Sequence, residues 1–260
     1  MKRIFYILSC LLAAVSCSKE ISSVPEKGTV VYVRSASVES IALKWQEGAQ
    51  VAVFSNAGSA KSVMTLFSSA LYEAEFRGEK VTPGTEYCVA YPKDVEKNGG
   101  TFRFVLPQEY SCPDEALSLM PMYANFTSFV KTAQLQAMCG LVDVLVEKPE
   151  DFSSVTLVSD TAIAGNCSGE SILSVEESGP KSIVQKTCPA REHYYFVVPE
   201  GDYKLSVQLE RTDGMKSISQ SVPLSVKTGV LAVVKAPVAG STTSGNHEGM
   251  GEIDVEVSQK

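Results

Sequence analysis

Residues 203–210 read Tyr203-Lys204-Leu205-Ser206-Val207-Gln208-Leu209-Glu210. Apolar side chains at Tyr203, Leu205, Val207 and Leu209 alternate with polar ones at Lys204, Ser206, Gln208 and Glu210. A period of two places one set on each face of a β-strand. Beyond the run comes Asp213-Gly214, a dipeptide that supplies the positive φ of a tight hairpin turn. A second strand is expected to fold back on the first.

The same period recurs at Phe102, Phe104 and Leu106 and at Val142, Val144 and Val146. Residues 41–45, 50–55, 86–91, 155–158, 193–198 and 230–235 also read as strands. Pro83-Gly84, Asn98-Gly99-Gly100 and Pro199-Glu200-Gly201 punctuate them. Nothing carries a long helical period, although residues 59–69 and 114–122 leave room for a short helical turn. Many short strands with turns roughly every 8–12 residues point to antiparallel β-sandwiches. At this length two sandwiches are expected, residues 17–128 and 129–239. Residues 240–248, small and polar, read as a flexible linker. A final alternating strand follows, with Ile253, Val255 and Val257 set against Glu252, Asp254 and Glu256. A lone strand at the end of a linker is not stable by itself, so it must pair with its own molecule or with another.

The chain opens with Lys2 and Arg3, an apolar run over residues 4–15, then Ser16 and Cys17. Charge, length and small-residue exit are those of a secretory signal peptide. The run is too short to span a bilayer, which needs about 20 apolar residues. The cysteine at the exit makes residues 1–16 resemble a bacterial lipoprotein signal, which implies cutting before Cys17 and a diacylglyceryl group on its thiol. The alternative is an ordinary signal peptide with a chance cysteine. Without residues 1–16, 244 of the 260 residues remain, enough for a substantial core. Losing Lys2 and Arg3 takes the net charge from −7 to −9. An acidic chain with no basic cluster is not expected to bind nucleic acid.

Five cysteines follow Cys17: Cys88, Cys112, Cys139, Cys167 and Cys188. One or two bridges fit an exported chain, but the pairing is not legible. Cys88 and Cys139 lie in apolar runs and read as small buried hydrophobes. No Cys-x-x-Cys occurs, and the two histidines, His193 and His247, give no metal-ligand spacing. No nucleophile elbow, dinucleotide loop or phosphate loop is present. His193 reads as a strand-edge surface residue and Trp45, the only tryptophan, as core packing at a strand end. The chain is expected not to be an enzyme and to hold neither cofactor nor metal.

Several segments, taken in order, resemble the fimbrillins, the lipoprotein-sorted subunits of type V pili. Trp45-Gln46-Glu47-Gly48-Ala49-Gln50-Val51 resembles their W-x-x-G-D-x-hydrophobic element, with Ala49 where Asp is usual. Tyr87-Cys88-Val89-Ala90-Tyr91-Pro92 resembles a strand ending in Tyr-Pro, and Leu106-Pro107-Gln108 a shortened Leu-Pro-x-x-Gln. Residues 135–146 and 155–165 resemble strands of the second domain. Tyr195-Phe196-Val197-Val198-Pro199-Glu200-Gly201-Asp202-Tyr203 resembles a Tyr-Phe-x-hydrophobic-Pro-x-Gly-x-Tyr block. The likeness spans residue 17 to about residue 239.

The resemblance implies two consecutive transthyretin-like sandwiches. It implies a palmitate-bearing lipoprotein on the outer face of the outer membrane, moved into a fimbrium after processing. A trypsin-like protease would cut after a basic residue, remove the lipidated first strand, and leave a groove for a strand donated by another subunit, identical or related. In this sequence the parts are residues 29–33, apolar on both faces; Arg34 and Ser35 at an accessible small-residue stretch; and Ile253, Val255 and Val257 as the donor strand. Adhesion to host surface proteins or glycans would follow. The alternative is an adhesin or glycan-binding lipoprotein that keeps its anchor and does not polymerise.

Overall fold

A computed structural model describes residues 28–38, 41–43, 45–70, 73–187, 189–236, 252–253 and 256–259. Among them the strands are β1 (Thr29–Arg34), β2 (Ser37–Val38), β3 (Ile41–Ala42), β4 (Gln50–Ser55), β5 (Ala60–Ala70), β6 (Glu73–Gly78), β7 (Tyr87–Tyr91), β8 (Glu96–Asn98), β9 (Thr101–Leu106) and β10 (Glu109–Tyr110). The one α-helix among the described residues, α1 (Pro113–Ser118), comes next. Then follow β11 (Met122–Phe126), β12 (Thr132–Gln134), β13 (Gln136–Ala137), β14 (Gly140–Val146), β15 (Phe152–Ser159), β16 (Gly165–Gly169), β17 (Ser174–Val175) and β18 (Ser182–Lys186). The last are β19 (His193–Val198), β20 (Gly201–Arg211), β21 (Lys216–Ser219), β22 (Val222–Val226), β23 (Leu231–Ala236), β24 (Glu252–Ile253) and β25 (Glu256–Gln259). The molecule is nearly all β and sandwich-like.

The hairpin expected at Asp213-Gly214 is present. β20 and β21 pair antiparallel with Gln208 opposite Ile218, and Gly214 takes φ +85° in the turn. The Asp213 carboxylate accepts the Met215 amide at 3.0 Å. Tyr203, Leu205, Val207 and Leu209 are buried as the alternation requires. Of residues 59–69, all but Ser59 lie in the long strand β5 rather than in a helical turn. Met64 and Leu66 pack inward while Val63, Thr65 and Phe67 face out, and β-branched Val63 and Thr65 suit a pleated surface. Residues 114–122 do begin helically, in α1, where Pro113 opens the helix and Asp114 and Glu115 occupy the positive first turn.

The largest sheet runs β12-β1-β6-β5-β4-β7-β11-β13. A second runs β10-β18-β15-β20-β21-β24 with β22 on β20, a third β19-β14-β23-β25, and a fourth β17-β16-β9-β8. Antiparallel pairing dominates, but β1–β12, β10–β18, β14–β23 and β21–β24 are parallel. Sheet pairing also crosses the division expected after residue 128. β12 and β13 complete the first sheet, while β9 pairs β16 and β10 pairs β18.

The buried apolar residues form one contiguous cluster. Trp45 belongs to it, 9 % exposed, with its ring edge-on to Phe76 and to Tyr91 at 5.1 Å from each. Truncating a buried tryptophan costs about 3–5 kcal/mol. Trp45→Ala should therefore lower the denaturant midpoint by a loss of that size; a loss under about 1 kcal/mol would show that the aromatics around it close the hole.

Candidate functional site

β1 lies between two partners. It runs antiparallel to β6, with Val31 opposite Phe76 and Val33 opposite Ala74, and parallel to β12, with Val33 beside Ala133. The Tyr32 amide donates to the Lys131 carbonyl at 2.7 Å, and the Leu135 amide donates to the Arg34 carbonyl at 2.9 Å. At the strand's start the Thr29 hydroxyl accepts the Val81 amide at 3.1 Å. Val31 and Val33 are fully buried, whereas Tyr32 is 39 % exposed and Val30 half-buried. The segment expected to be apolar and buried on both faces thus buries one. Its outward positions are Val30, Tyr32 and Arg34, which lie opposite Arg77, Glu75 and Glu73 of β6. Arg34 Nε meets the Glu73 carboxylate at 2.6 Å with both side chains largely exposed.

The Arg34–Ser35 bond is not the open stretch that the small residues imply. Arg34 projects outward, but Ser35 is 6 % and Ala36 5 % exposed. The Ser35 carbonyl accepts the Gln134 side-chain amide at 3.1 Å, and the Ala36 amide meets Met122 Sδ at 3.3 Å. Val38, two residues on, is completely buried. The basic side chain is therefore presented to solvent while its peptide bond is held in the sheet. A protease reaches that bond only when the β1–β12 ladder opens. The small side chains of Ser35 and Ala36, which suggested an accessible stretch, are instead buried.

The end of the chain pairs within its own molecule. β25 lies antiparallel on the edge of β23, with Val257 opposite Val234 and Glu256 opposite Lys235. β24 runs parallel to β21, with Ile253 beside Ser219. Of the expected donor residues, Ile253 and Val257 are in these strands; Val255 lies outside the described residues, as does Cys17.

No protein-family model matches the chain, and no curated protein matches it in sequence. Among solved structures, a candidate cell adhesion protein from Bacteroides ovatus superposes with TM-score 0.56 at 8 % identity, over 89 % of this chain and 96 % of that one. The chain shares that fold. Looser likenesses, at TM-scores of 0.40 and 0.45, link it to the tip fimbrial protein Mfa3 from Porphyromonas gingivalis and to a fimbrial protein from Bacteroides ovatus. The first is 11 % identical over 89 % of this chain and 99 % of that one. The second is 15 % identical over 86 % of this chain and 50 % of that one.

The remaining reactive groups are arranged quietly. Cys88, Cys112, Cys139 and Cys167 are free. Burial pushes the Cys88 and Cys167 thiols up to about 12 and raises that of Cys139 as well, so all three stay protonated and poorly nucleophilic. Among the described residues no group of three or more His, Cys, Asp or Glu is placed to hold a metal.

His193 is more than the surface residue that its strand position suggests. Its Nδ1 lies 2.8 Å from Asp143 Oδ2, and its ring stacks on Tyr195 with centroids 6.0 Å apart. Asp143 sits in the apolar run of β14, 3 % exposed, and its other oxygen has no partner. The only sequence signal is an acid inside the run Leu141-Val142-Asp143-Val144-Leu145; its histidine lies 50 residues on.

Burial raises the Asp143 pKa above the ordinary carboxylate value, against the lowering effect of the His193 hydrogen bond and charge. With the folded value above the unfolded one, the ionised carboxylate costs stability. That cost grows as pH rises from the unfolded value through the folded one and is complete above it. Asp143→Asn keeps an oxygen toward His193 and removes the charge. Thermal melts should show the variant more stable than the parent at pH 7, with the gap closing toward pH 3. A variant less stable at pH 7 would mean that the charge on Asp143 is net favourable.

Proposed function

We propose that this chain is a cell-surface adhesion protein of the fimbrial kind: a structural subunit, exported as a lipoprotein through Cys17, that joins its neighbours by strand exchange. The observation that carries the reading is β1, the first described strand. It is hydrogen-bonded along both edges, it buries Val31 and Val33, and a solvent-facing arginine ends it. Its loss would leave two unpaired ladders and two vacated valine sites, which is the form of an acceptor groove. Burying each valine is worth about 1.5–3 kcal/mol, so the cut subunit would be held in a less stable state until a replacement strand arrived. The shared fold with a candidate cell adhesion protein supports the adhesive side of the reading. Surface display on the outer membrane, release into a fimbrium, and contact with host proteins or glycans are parts of the same proposal.

One observation favours the second reading, an adhesin that keeps its anchor and does not polymerise. The tail strands β24 and β25 already have partners in their own molecule. A strand in use at home must be released before it can be donated. Its ladder is short, with four residues of β25 and two of β24, and short terminal ladders open readily.

Two measurements separate the readings, and a third tests the lipid that both require. Edman sequencing of the surface protein should return Ser35 as the mature terminus if the strand is removed there, and Cys17→Ser should abolish detergent partitioning of the uncut protein on either reading. Val255→Asp should stop polymer growth while shifting the subunit's melting temperature by no more than about 2 °C, a shift that corresponds to under ~1 kcal/mol. A persistent lipid-bearing terminus, or a much larger melting shift with growth unaffected, would transfer the assignment to the anchored adhesin.

A further inference from the structure

The outward face of the β1 position has a charge pattern, and the tail does not fit it. Positions 30, 32 and 34 face Arg77, Glu75 and Glu73 across the β1–β6 ladder. On the other side Tyr32 and Arg34 lie beside the neutral residues Thr132 and Gln134. Glu75 is already paired with Arg77 at 2.6 Å, and Arg77 also stacks on Phe67, 3.3 Å from the ring centroid. Among the described residues Glu73 pairs with Arg34. That cation leaves with the strand if the chain is cut after it.

The tail can be laid into the same position one register at a time, keeping its apolar residues on the buried face. With Val255 and Val257 in the places of Val31 and Val33, Asp254 faces Arg77, Glu256 faces Glu75 and Ser258 faces Glu73. With Ile253 and Val255 there instead, Asp254 faces Glu75 and Glu256 faces Glu73. Reversing the strand changes the order but not the outcome. Every arrangement that seats two of the three apolar residues in the valine places sets at least one acid against an acid and brings no cation to Glu73; the one register that carries Lys260 to Glu73 puts polar Gln259 in the fully buried place of Val33. Like charges directly opposite are unfavourable, and opposite charges contribute. The tail's own seat differs, because β23 places Lys235 opposite Glu256.

We infer that the β1 groove of this chain selects against the tail of an identical copy and takes a strand of different sequence, with small or β-branched residues facing in and an arginine or lysine at the position of Arg34. The inference rests on the strand-exchange reading above. It makes the chain a hetero-assembling subunit: backbone pairing would accept any strand, and the outward charges decide which one stays. Tyr32 and Arg34 are then the outward specificity positions of the native occupant, and Glu73 is the corresponding position of the wall.

The test uses the intact chain nicked at Arg34 under native conditions, with the nick verified by mass. Three labelled peptides are offered and their uptake is followed by fluorescence anisotropy: residues 28–34, residues 251–260, and residues 251–260 carrying Asp254→Thr and Glu256→Arg. The first and third should bind at least about fivefold more tightly than the second, with the gap narrowing at high salt. Glu73→Gln with Glu75→Gln in the groove should raise binding of the unaltered tail toward the others. Equal binding of the altered and unaltered tails, with residues 28–34 taken up, overturns the selectivity and leaves strand exchange standing. Failure to take up even residues 28–34 overturns the groove and the inference together.

Discussion

Both edges of β1 are hydrogen-bonded, and the organisation of the first sheet depends on that. A strand in mid-sheet satisfies two rows of backbone groups at once, and a buried row left unpaired is costly. Because its partners are β6 and β12, the strand ties a hairpin close to it in sequence to a segment about a hundred residues away. It also brings Val31 and Val33 into the same apolar cluster as Phe76 and Trp45. Its anchoring on the β12 side explains why Ser35 and Ala36, unremarkable in sequence, are buried.

Backbone pairing of this kind is generic, since any extended segment offers the same donors and acceptors. Identity is carried by side chains: the buried valines fix the register to even steps, and the outward row fixes the charge. The pair Arg34–Glu73 and the register that sets Lys235 opposite Glu256 place complementary charges at the two ends of the chain. Surface ion pairs contribute little stability. On the strand-exchange reading proposed above, their effect is on which strand is retained, because a mismatch sets like charges directly opposite across a ladder.

The alternating strands and their turns were legible because a period of two is a local signal. Residues 203–210 and Asp213-Gly214 gave the β20–β21 hairpin almost residue for residue. β5 was not, because its run of Ala, Ser and Lys blurs the alternation. The parallel pairs and the crossing of the two halves were not legible either, since strand partners far apart in sequence leave no local mark. The same holds for the candidate site. Arg34 and the tail could be singled out by residue type, but Glu73, Gln134 and Asp143 acquire their roles only from cross-strand register.

The parallel pairing of β14 with β23, together with the β1–β12, β9–β16 and β10–β18 contacts, sets an order of events for a chain that emerges amino end first. β14 has antiparallel β19 on one side and must wait on the other for residues 231–236. Until those residues emerge, the apolar edge of β14 is open, and open strand edges are what aggregating chains seize on. Non-local pairing of this kind is slow to form. The nascent molecule therefore passes through a long interval in which a companion that shields strand edges would decide its yield, before any question of assembly arises.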